Sequence, residues 1–249
     1  DYSATSKPVI YITDAQGNIA DTITTKLLPN WVISSSRIVG WSSDQKTIYV
    51  TRIGWEGYEM GDLWKVDVNN KTVEHITAAN EVALGALNVL PQKDLAVGIN
   101  YTETKCDDCM GSTMGGAPVS IRLFDLKNNT VRTVYSNKRN IVSSPLLTPD
   151  GSKIYFIEAL SSEDHILYSM KVDGTELVEV AKNKYIHGMS EDGGVIILQD
   201  YGQENNYAYQ VMNVEDKTIE EHQIAKIHED EYVEFMGCTY PLGFNCLYP

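Results

Sequence analysis

A repeating unit of four short strands constrains the fold of this chain more than any other feature. The clearest copy occupies residues 141–180, where apolar residues alternate in residues 153–157 and again in residues 166–172. Strict alternation with a period of two is typical of half-buried strands. Turn-forming residues at 149–151 and 173–174 separate strands of this copy. The unit therefore predicts a small antiparallel sheet of four strands.

Similar units follow one another along nearly the whole sequence. Four copies are continuous, and they begin near Arg37, Gly85, Ile141 and Ile186. A predicted hairpin at residues 9–24 aligns with the third and fourth strands of a unit, whereas residues 231–249 align with the first and second strands. Together the two ends of the chain would complete one composite unit, which would leave no free sheet edge.

Consecutive four-stranded units of about 40–55 residues predict a β-propeller. We expect an all-β chain of four-stranded antiparallel blades, five in number. The ring would be closed by pairing N-terminal and C-terminal strands in one composite blade. A β-sandwich and a pair of smaller β domains are the alternatives. No linker rich in Pro, Gly or Ser divides the sequence, so we predict a single propeller domain over residues 1–249.

Two segments of the third unit, LLTPDGSKIYFIE and LYSMKVDGTELVEV, resemble the repeat of TolB-type propellers. The same repeat is found in the propeller domains of prolyl-oligopeptidase-like peptidases. WSSDQKTIYVT in the first unit and MSEDGGVIIL in the fourth are weaker matches. The matching residues set turns and strand packing, so the resemblance implies the architecture and no particular activity.

The net charge of −14, from 34 acidic and 20 basic side chains, restricts the partners of this chain. Such a charge repels the phosphate backbone and argues against nucleic-acid binding. It is compatible with cationic partners, with divalent metals or with solubility alone. No apolar run reaches about 18 residues, so no membrane span is predicted.

Alternating strand directions place the connections between second and third strands, and those between blades, on one face of a propeller. We call it the long-loop face, because its predicted loops span residues 52–62, 101–118, 159–165 and 200–207. Long loops on a rigid scaffold usually carry binding functions. The candidate binding residues are mainly the aromatic and acidic members of these loops: Trp55, Glu56, Tyr58, Asp107, Asp108, Glu163, Asp164, His165, Tyr201 and Glu204.

Exposed Trp and Tyr side chains are typical anchors for a partner, here a protein or a glycan. The alternative is that Trp55 and Tyr58 pack against their own loop. Calcium is kept as a candidate cofactor, because clustered carboxylates suit a hard cation. The calcium-loop pattern D-x-[DN]-x-[DN]-G is absent, and we predict no other cofactor and no dedicated metal site.

The four cysteines form two local pairs. Cys106 and Cys109 flank two aspartates, whose charge disfavours a thiolate and therefore a redox role. Cys238 and Cys246 lie at equal distances from Leu242, the centre of a predicted hairpin, and would face each other across it. We predict two short-range disulfides, with a zinc site as the alternative. Disulfides indicate the periplasm, the cell surface or secretion.

The motifs G-x-S-x-G and H-E-x-x-H and the phosphate-binding glycine loop are absent. Glycosidases use a pair of carboxylates, and in five-bladed propellers these lie near the innermost strands. Only Glu234 falls on a predicted innermost strand, and Glu81, Asp230 and Glu231 complete no convincing pair. We therefore predict no catalytic residue.

We expect an exported, non-catalytic binding or scaffold propeller, alone or within a larger assembly. A carbohydrate-active enzyme, a glycosidase or lyase using funnel carboxylates, is the alternative.

Overall fold

The computed structural model describes residues 9–24, 36–53, 59–77, 87–101, 118–137, 139–200, 208–223, 233–235 and 238–240. Within these ranges the regular elements are strands, apart from a short 3-10 turn at Pro91–Lys93. A search of the same ranges finds no helix with the length and apolar character needed to cross a membrane. The predicted all-β class is confirmed.

The strands form four four-stranded sheets and two two-stranded ones. β1 (Val9–Thr13) and β2 (Ile19–Thr24) form an N-terminal hairpin. The first sheet contains β3 (Ser36–Trp41), β4 (Thr47–Ile53), β5 (Glu59–Asp67) and β6 (Thr72–Thr77), and the second β7 (Leu87–Leu90), β8 (Leu95–Tyr101), β9 (Pro118–Asp125) and β10 (Thr130–Ser136). The third contains β11 (Ile141–Leu147), β12 (Lys153–Ala159), β13 (His165–Lys171) and β14 (Val178–Lys182). The fourth contains β15 (Lys184–Met189), β16 (Val195–Asp200), β17 (Ala208–Asn213) and β18 (Ile219–Gln223), and β19 (Val233–Phe235) pairs with β20 (Cys238–Tyr240).

Each four-stranded sheet corresponds to one continuous repeat of the sequence, with its strands paired in chain order. The antiparallel four-stranded units and the N-terminal hairpin are therefore confirmed. Among the described residues, the N-terminal hairpin and the β19–β20 pair are separate two-stranded sheets. Closure of the ring, the composite blade and the number of blades stay predictions.

The loops between second and third strands are shorter than predicted, most of all in the first sheet. In the first sheet, β4 continues to Ile53 and β5 already begins at Glu59, so residues 54–58 connect them. In the third sheet, β12 and β13 are joined by residues 160–164. Strand pairing continues to Ile53 and Glu59 in the first sheet and to Ala159 and His165 in the third. The longer connections are residues 102–117 in the second sheet and 201–207 in the fourth.

The chain divides into two compact units, Asp1–Gly98 with Phe124–Val131, and Ile99–Leu123 with Arg132–Pro249. In the first unit, Ile48 and Val50 belong to one apolar cluster and Tyr49 to another. Successive side chains of a strand point to opposite faces, so both faces of this sheet are buried. The core of the second unit joins the third and fourth sheets through Ile157, Leu167, Ile196, Leu198 and Met212. A single domain over residues 1–249 stays a prediction.

The turn between first and second strands has the same hydrogen bonds in three sheets. In the first sheet, the Ser42 hydroxyl accepts from the Thr47 N–H at 3.0 Å and donates to the Asp44 carboxylate at 2.8 Å. Asp44 also accepts from the Lys46 N–H at 3.1 Å. The equivalent pairs are Thr148 with Asp150 and Ser190 with Asp192. Because these side chains bond to their own turn, they fix its shape.

We expect Thr148→Val to lower the free energy of unfolding by about 1–2 kcal/mol. The substitution keeps the shape of a side chain that is 6% exposed, but it removes the acceptor of the Lys153 N–H at 2.9 Å and the donor to Asp150 at 2.6 Å. Urea denaturation measures the loss. Thr148→Ser keeps the hydroxyl and is the matched control, so equal losses in the two variants would show that the hydroxyl contributes nothing.

Candidate functional site

Three predicted binding residues fall in the described part of the chain, in or beside the loop between β12 and β13. The Ser161 hydroxyl accepts from the Asp164 N–H at 3.0 Å, and the Leu160 N–H donates to the Asp164 carbonyl at 2.8 Å. Glu163 and Asp164 are exposed, whereas His165 is 6% exposed. Glu163 and Asp164 are therefore accessible to a partner, but the His165 ring is buried at the start of β13.

The other predicted site residues mostly lie outside the described residues. They are Trp55, Glu56, Tyr58, Asp107, Asp108, Tyr201 and Glu204, together with Cys106, Cys109 and Cys246. The backbone of Cys238 is described, and it pairs with Phe235 across β19 and β20. The predicted hairpin centred on Leu242 also lies outside the described residues. These binding residues and both disulfides stay predictions.

A buried carboxylate that the sequence analysis missed lies where β12 approaches its loop to β13. Glu158 is 3% exposed, and its carboxylate accepts hydrogen bonds from three side chains. The donors are the Tyr135 hydroxyl, the Asn140 Nδ2 and, at 2.6 Å, the Asn137 Nδ2. Tyr135 belongs to β10, and both asparagines lie in the connection from β10 to β11. We call these four residues the Glu158 cluster; it ties that connection to the third sheet.

The alternation along β12 explains the burial of Glu158. Ile154, Phe156 and Glu158 point to the same face of the strand, and all three are buried. On this face the Phe156 ring lies between those of Tyr135 and Tyr168, with centroid distances of 4.7 and 5.6 Å. A carboxylate in apolar surroundings needs hydrogen-bond donors, and the three side chains supply them. Glu158 follows Ile154 and Phe156 at intervals of two residues, and this alternation is the sequence signal that could have identified it as buried.

Burial, together with the hydrogen bond to Glu158, raises the pKa of Tyr135 to about 12 from an ordinary value of 10.0. The folded state therefore favours the neutral phenol. This stabilisation is fully present below pH 10 and is lost as the pH rises towards about 12.

We expect the stability of the wild type to fall more steeply between pH 10 and pH 12 than that of Tyr135→Phe, which has no phenol to ionise at this position. Urea unfolding across this pH range measures both slopes. Tyr11→Phe is the control, because Tyr11 is 59% exposed. Parallel curves for the wild type and Tyr135→Phe would contradict the assignment.

The fourth sheet has a carboxylate at the equivalent position. Asp200 follows the turn hydroxyl of Ser190 at the same spacing as Glu158 follows that of Thr148. Asp200 accepts from Lys184 Nζ at 2.5 Å and from Gln210 Nε2 at 3.1 Å. The Asp200 side chain is 39% exposed and that of Lys184 is 16% exposed. The carboxylate of the fourth sheet is thus partly hydrated and paired with a cation.

His187 is not part of a metal-binding group in the described residues. Its Nε2 lies 2.7 Å from Gln199 Oε1, and the Tyr209 ring meets it edge-on with a centroid distance of 5.3 Å. Burial lowers the pKa of His187, although the Gln199 hydrogen bond acts in the opposite direction. A search of the described residues for three or more clustered His, Cys, Asp or Glu side chains finds none.

Part of the acidic charge has a structural role in the short turns. Hydrogen bonds made within the turns lower the pKa of seven aspartates: Asp14, Asp44, Asp67, Asp125, Asp173, Asp192 and Asp216. The Asn18 side chain has the largest effect on Asp14, and the Ser42 hydroxyl has the largest effect on Asp44. These carboxylates stay ionised because they close turns, so their charge needs no cationic partner to explain it.

Known structures contain similar four-stranded antiparallel sheets. TolB from Acinetobacter baumannii matches with a TM-score of 0.50 and 17% sequence identity, over 91% of this chain and 52% of that chain. The fold is a TolB-like β-propeller. An acylaminoacyl peptidase in complex with Z-Gly-Gly-Phe-chloromethyl ketone matches with a TM-score of 0.52 and 13% identity, over 86% of this chain and 35% of that chain. The TolB-like chain therefore spans about half the length of that TolB and about a third of the peptidase.

No family model and no curated protein matches the sequence. At identities of 17% and 13%, the structural likeness establishes the fold alone. The resemblance to TolB-type repeats, first recognised in the third unit of the sequence, is confirmed for the structure. Function has to be argued from the residues of this chain.

Proposed function

We propose that this TolB-like propeller is an exported, non-catalytic binding or scaffold module, whose long-loop face holds a protein or glycan partner. The observation that carries the proposal is the contrast between the two ends of the sheets. The short turns are closed by hydrogen bonds to their own side chains, whereas strand pairing leaves residues 102–117 and 201–207 as long connections at the opposite end. Long connections on a sheet scaffold are suited to recognition.

The proposal includes five blades and a ring closed by one composite blade. Its support is the N-terminal hairpin, in which Asp14 accepts from the N–H groups of Gln16 and Asn18. Asp67 and Asp125, between the third and fourth strands of the first and second sheets, also accept from the N–H two residues on, but their second donor is three residues on rather than four. The hairpin turn thus resembles the turns between third and fourth strands, which supports the composite blade. The C-terminal strands would supply the first and second strands of that blade.

Two disulfides, Cys106–Cys109 and Cys238–Cys246, and a periplasmic, cell-surface or secreted location belong to the same proposal. Their support is the even number of cysteines and the local spacing of each pair. We expect the intact mass of protein from its natural source to rise by about 4 Da on reduction, two hydrogens for each disulfide. Four free thiols with bound zinc would contradict the disulfides and favour the zinc alternative.

The binding role is tested at the predicted anchors Trp55 and Tyr201. Partners are first identified by crosslinking in the native source and by a glycan array. We expect Trp55→Ala and Tyr201→Ala to weaken the identified interaction by about 30-fold or more, as loss of an aromatic anchor does. Tyr11→Ala, which removes an exposed tyrosine from β1, is the matched control and should bind normally. Unchanged binding in both anchor variants would show that the proposed face is wrong.

A carbohydrate-active enzyme remains the second candidate, because Glu158 and Asp200 are carboxylates at equivalent positions of neighbouring sheets. Glu158 is poorly suited to proton transfer to a substrate, since it is 3% exposed and accepts three internal hydrogen bonds. This burial favours the binding role. Turnover of any polysaccharide that is abolished by Asp200→Asn would reverse the preference.

A further inference from the structure

The turns between third and fourth strands have an asparagine at the same position in the first and second sheets. In the first sheet, Asn70 follows Asp67 by three residues, and its Nδ2 donates to the Asp67 carboxylate at 3.1 Å. In the second sheet, Asn128 follows Asp125 by three residues, and the corresponding hydrogen bond is 2.8 Å long. Both asparagines are exposed. Each one therefore helps to close its turn while it stays accessible from solvent.

Each of these asparagines begins an N-x-T triplet, which is the acceptor sequence for N-glycosylation when x is not Pro. The triplets are Asn70-Lys71-Thr72 and Asn128-Asn129-Thr130. Their middle residues have positive φ values of 57° and 51°. In both triplets the threonine is the first residue of the fourth strand and is exposed. The two acceptor sequences therefore share one geometry, at the tip of a short turn.

The fourth sheet shows that this turn forms without an asparagine at its tip. Asp216, Lys217 and Thr218 have the equivalent positions there, and Lys217 has a positive φ of 60°. The Asp216 carboxylate accepts from the Thr218 N–H at 2.9 Å. A third N-x-T triplet begins at Asn100, but this residue lies within β8 and is partly buried. Only Asn70 and Asn128 thus combine the triplet with an exposed turn.

We propose that Asn70 and Asn128 are the attachment sites of N-linked glycans. The inference rests on the proposed export, and it narrows the location to a secretory pathway that transfers oligosaccharides to asparagine. The donor is an oligosaccharide carried on a polyprenyl diphosphate. The asparagine Nδ2 forms a bond to C1 of the first sugar and loses one proton. The bond from C1 to the diphosphate breaks, and the polyprenyl diphosphate leaves.

The folded turns have room for a glycan. Residues 69–72 and 127–130 are all exposed, so an attached sugar would extend into solvent. After the transfer Nδ2 keeps one N–H, which can still donate to the aspartate of the turn. The turns lie at the end of their sheets opposite to the connections between second and third strands. Glycans at these positions would therefore leave the proposed binding loops of the same sheets free.

Peptide mass spectrometry of protein from its natural source tests the inference. A peptide N-glycosidase removes each glycan and leaves an aspartate that marks the former attachment site. We expect marked sites at Asn70 and Asn128 and none at Asn100. Disulfide-bonded protein without a glycan at either site would overturn the inference and leave the proposed export intact. Protein with free thiols and no glycan would contradict the export itself, and this inference with it.

Threonine variants separate the acceptor role from the turn, in full chain secreted from eukaryotic cells behind an added signal peptide. Thr72→Ala and Thr130→Ala keep the asparagine but destroy the acceptor sequence, so each should lose the mass of one glycan. Thr218→Ala is the matched control, because Asp216 in the equivalent turn has no amide nitrogen to accept a sugar, and its glycan mass should not change. Circular dichroism confirms that each variant is folded. A secreted wild type without glycans, or equal glycan mass in the wild type and both Thr72→Ala and Thr130→Ala, would overturn the assignment.

Discussion

Gly174→Ala is expected to lower the free energy of unfolding by about 3 kcal/mol or more. Gly174 has a φ of +91°, and a Cβ atom built on it would lie 2.4 Å from the carbonyl oxygen of Val134. Both the left-handed backbone and the clash oppose a side chain. The obstacle is main chain of β10, so it cannot turn away as a flexible side chain can. Urea denaturation, followed through the transition of the unit that contains the turn, measures the loss.

Gly17→Ala is the matched control, because Gly17 has the same place in the N-terminal hairpin. The N–H of Gly17 donates to the Asp14 carbonyl at 3.0 Å, as that of Gly174 donates to the Lys171 carbonyl at 2.8 Å. Gly17 has a φ of +85°, but its Cβ would meet nothing within 4 Å. We expect a loss of about 1 kcal/mol, the cost of the left-handed conformation alone. Equal losses in the two variants would show that the Val134 contact does not restrict the turn.

The close approach at Gly174 has a visible cause. The Arg132 guanidinium on β10 donates to the carbonyl oxygens of Val172 and Asp173, at 2.9 and 3.2 Å. These bonds hold the turn between β13 and β14 against β10, which leaves no room for a side chain at Gly174. Glycine at this position therefore allows the close contact with β10 of the second sheet as well as the positive φ of the turn.

The sequence pattern predicts local features of this turn but not its surroundings. Asp173–Gly174 indicates a hairpin turn, because such residues adopt positive φ at low cost. Val134, which makes glycine necessary, is far along the chain and contributes only its carbonyl group, which no residue type encodes. The sequence pattern is limited in the same way for the Glu158 cluster. Alternation places Glu158 in phase with Ile154 and Phe156, yet its donors come from β10 and the following connection.

The strands were predictable because apolar alternation and turn residues are both local signals. The ends of the loops were harder to predict. For example, the pairing of β4 with β5 extends to Ile53 and Glu59. His165 was predicted as an accessible loop residue, but pairing with Ala159 at the start of β13 buries it. A polar residue beside a loop can be the first residue of a strand, and only the tertiary packing decides its exposure.

Glu158→Ala is expected to lower the free energy of unfolding by about 3 kcal/mol. The substitution leaves the Tyr135 hydroxyl and the amides of Asn137 and Asn140 without their shared acceptor, in a position that is 3% exposed. The three donors are half-buried, so water replaces their lost acceptor only in part. Urea denaturation measures this loss.

Asp200→Ala is the control for burial, because Asp200 has the equivalent position but its side chain is 39% exposed. Water can replace its carboxylate as the acceptor for Lys184, so we expect a loss of about 1 kcal/mol. Hydrogen exchange should also distinguish the two variants. Glu158→Ala frees the connection that contains Asn137 and Asn140, so the adjacent β11 amides should be less protected from exchange. If the two variants lost equal stability, with unchanged exchange in β11, Glu158 would not anchor the third sheet. A larger loss for Glu158→Ala, with faster exchange confined to β11 and its connection, is the result that a buried anchor requires.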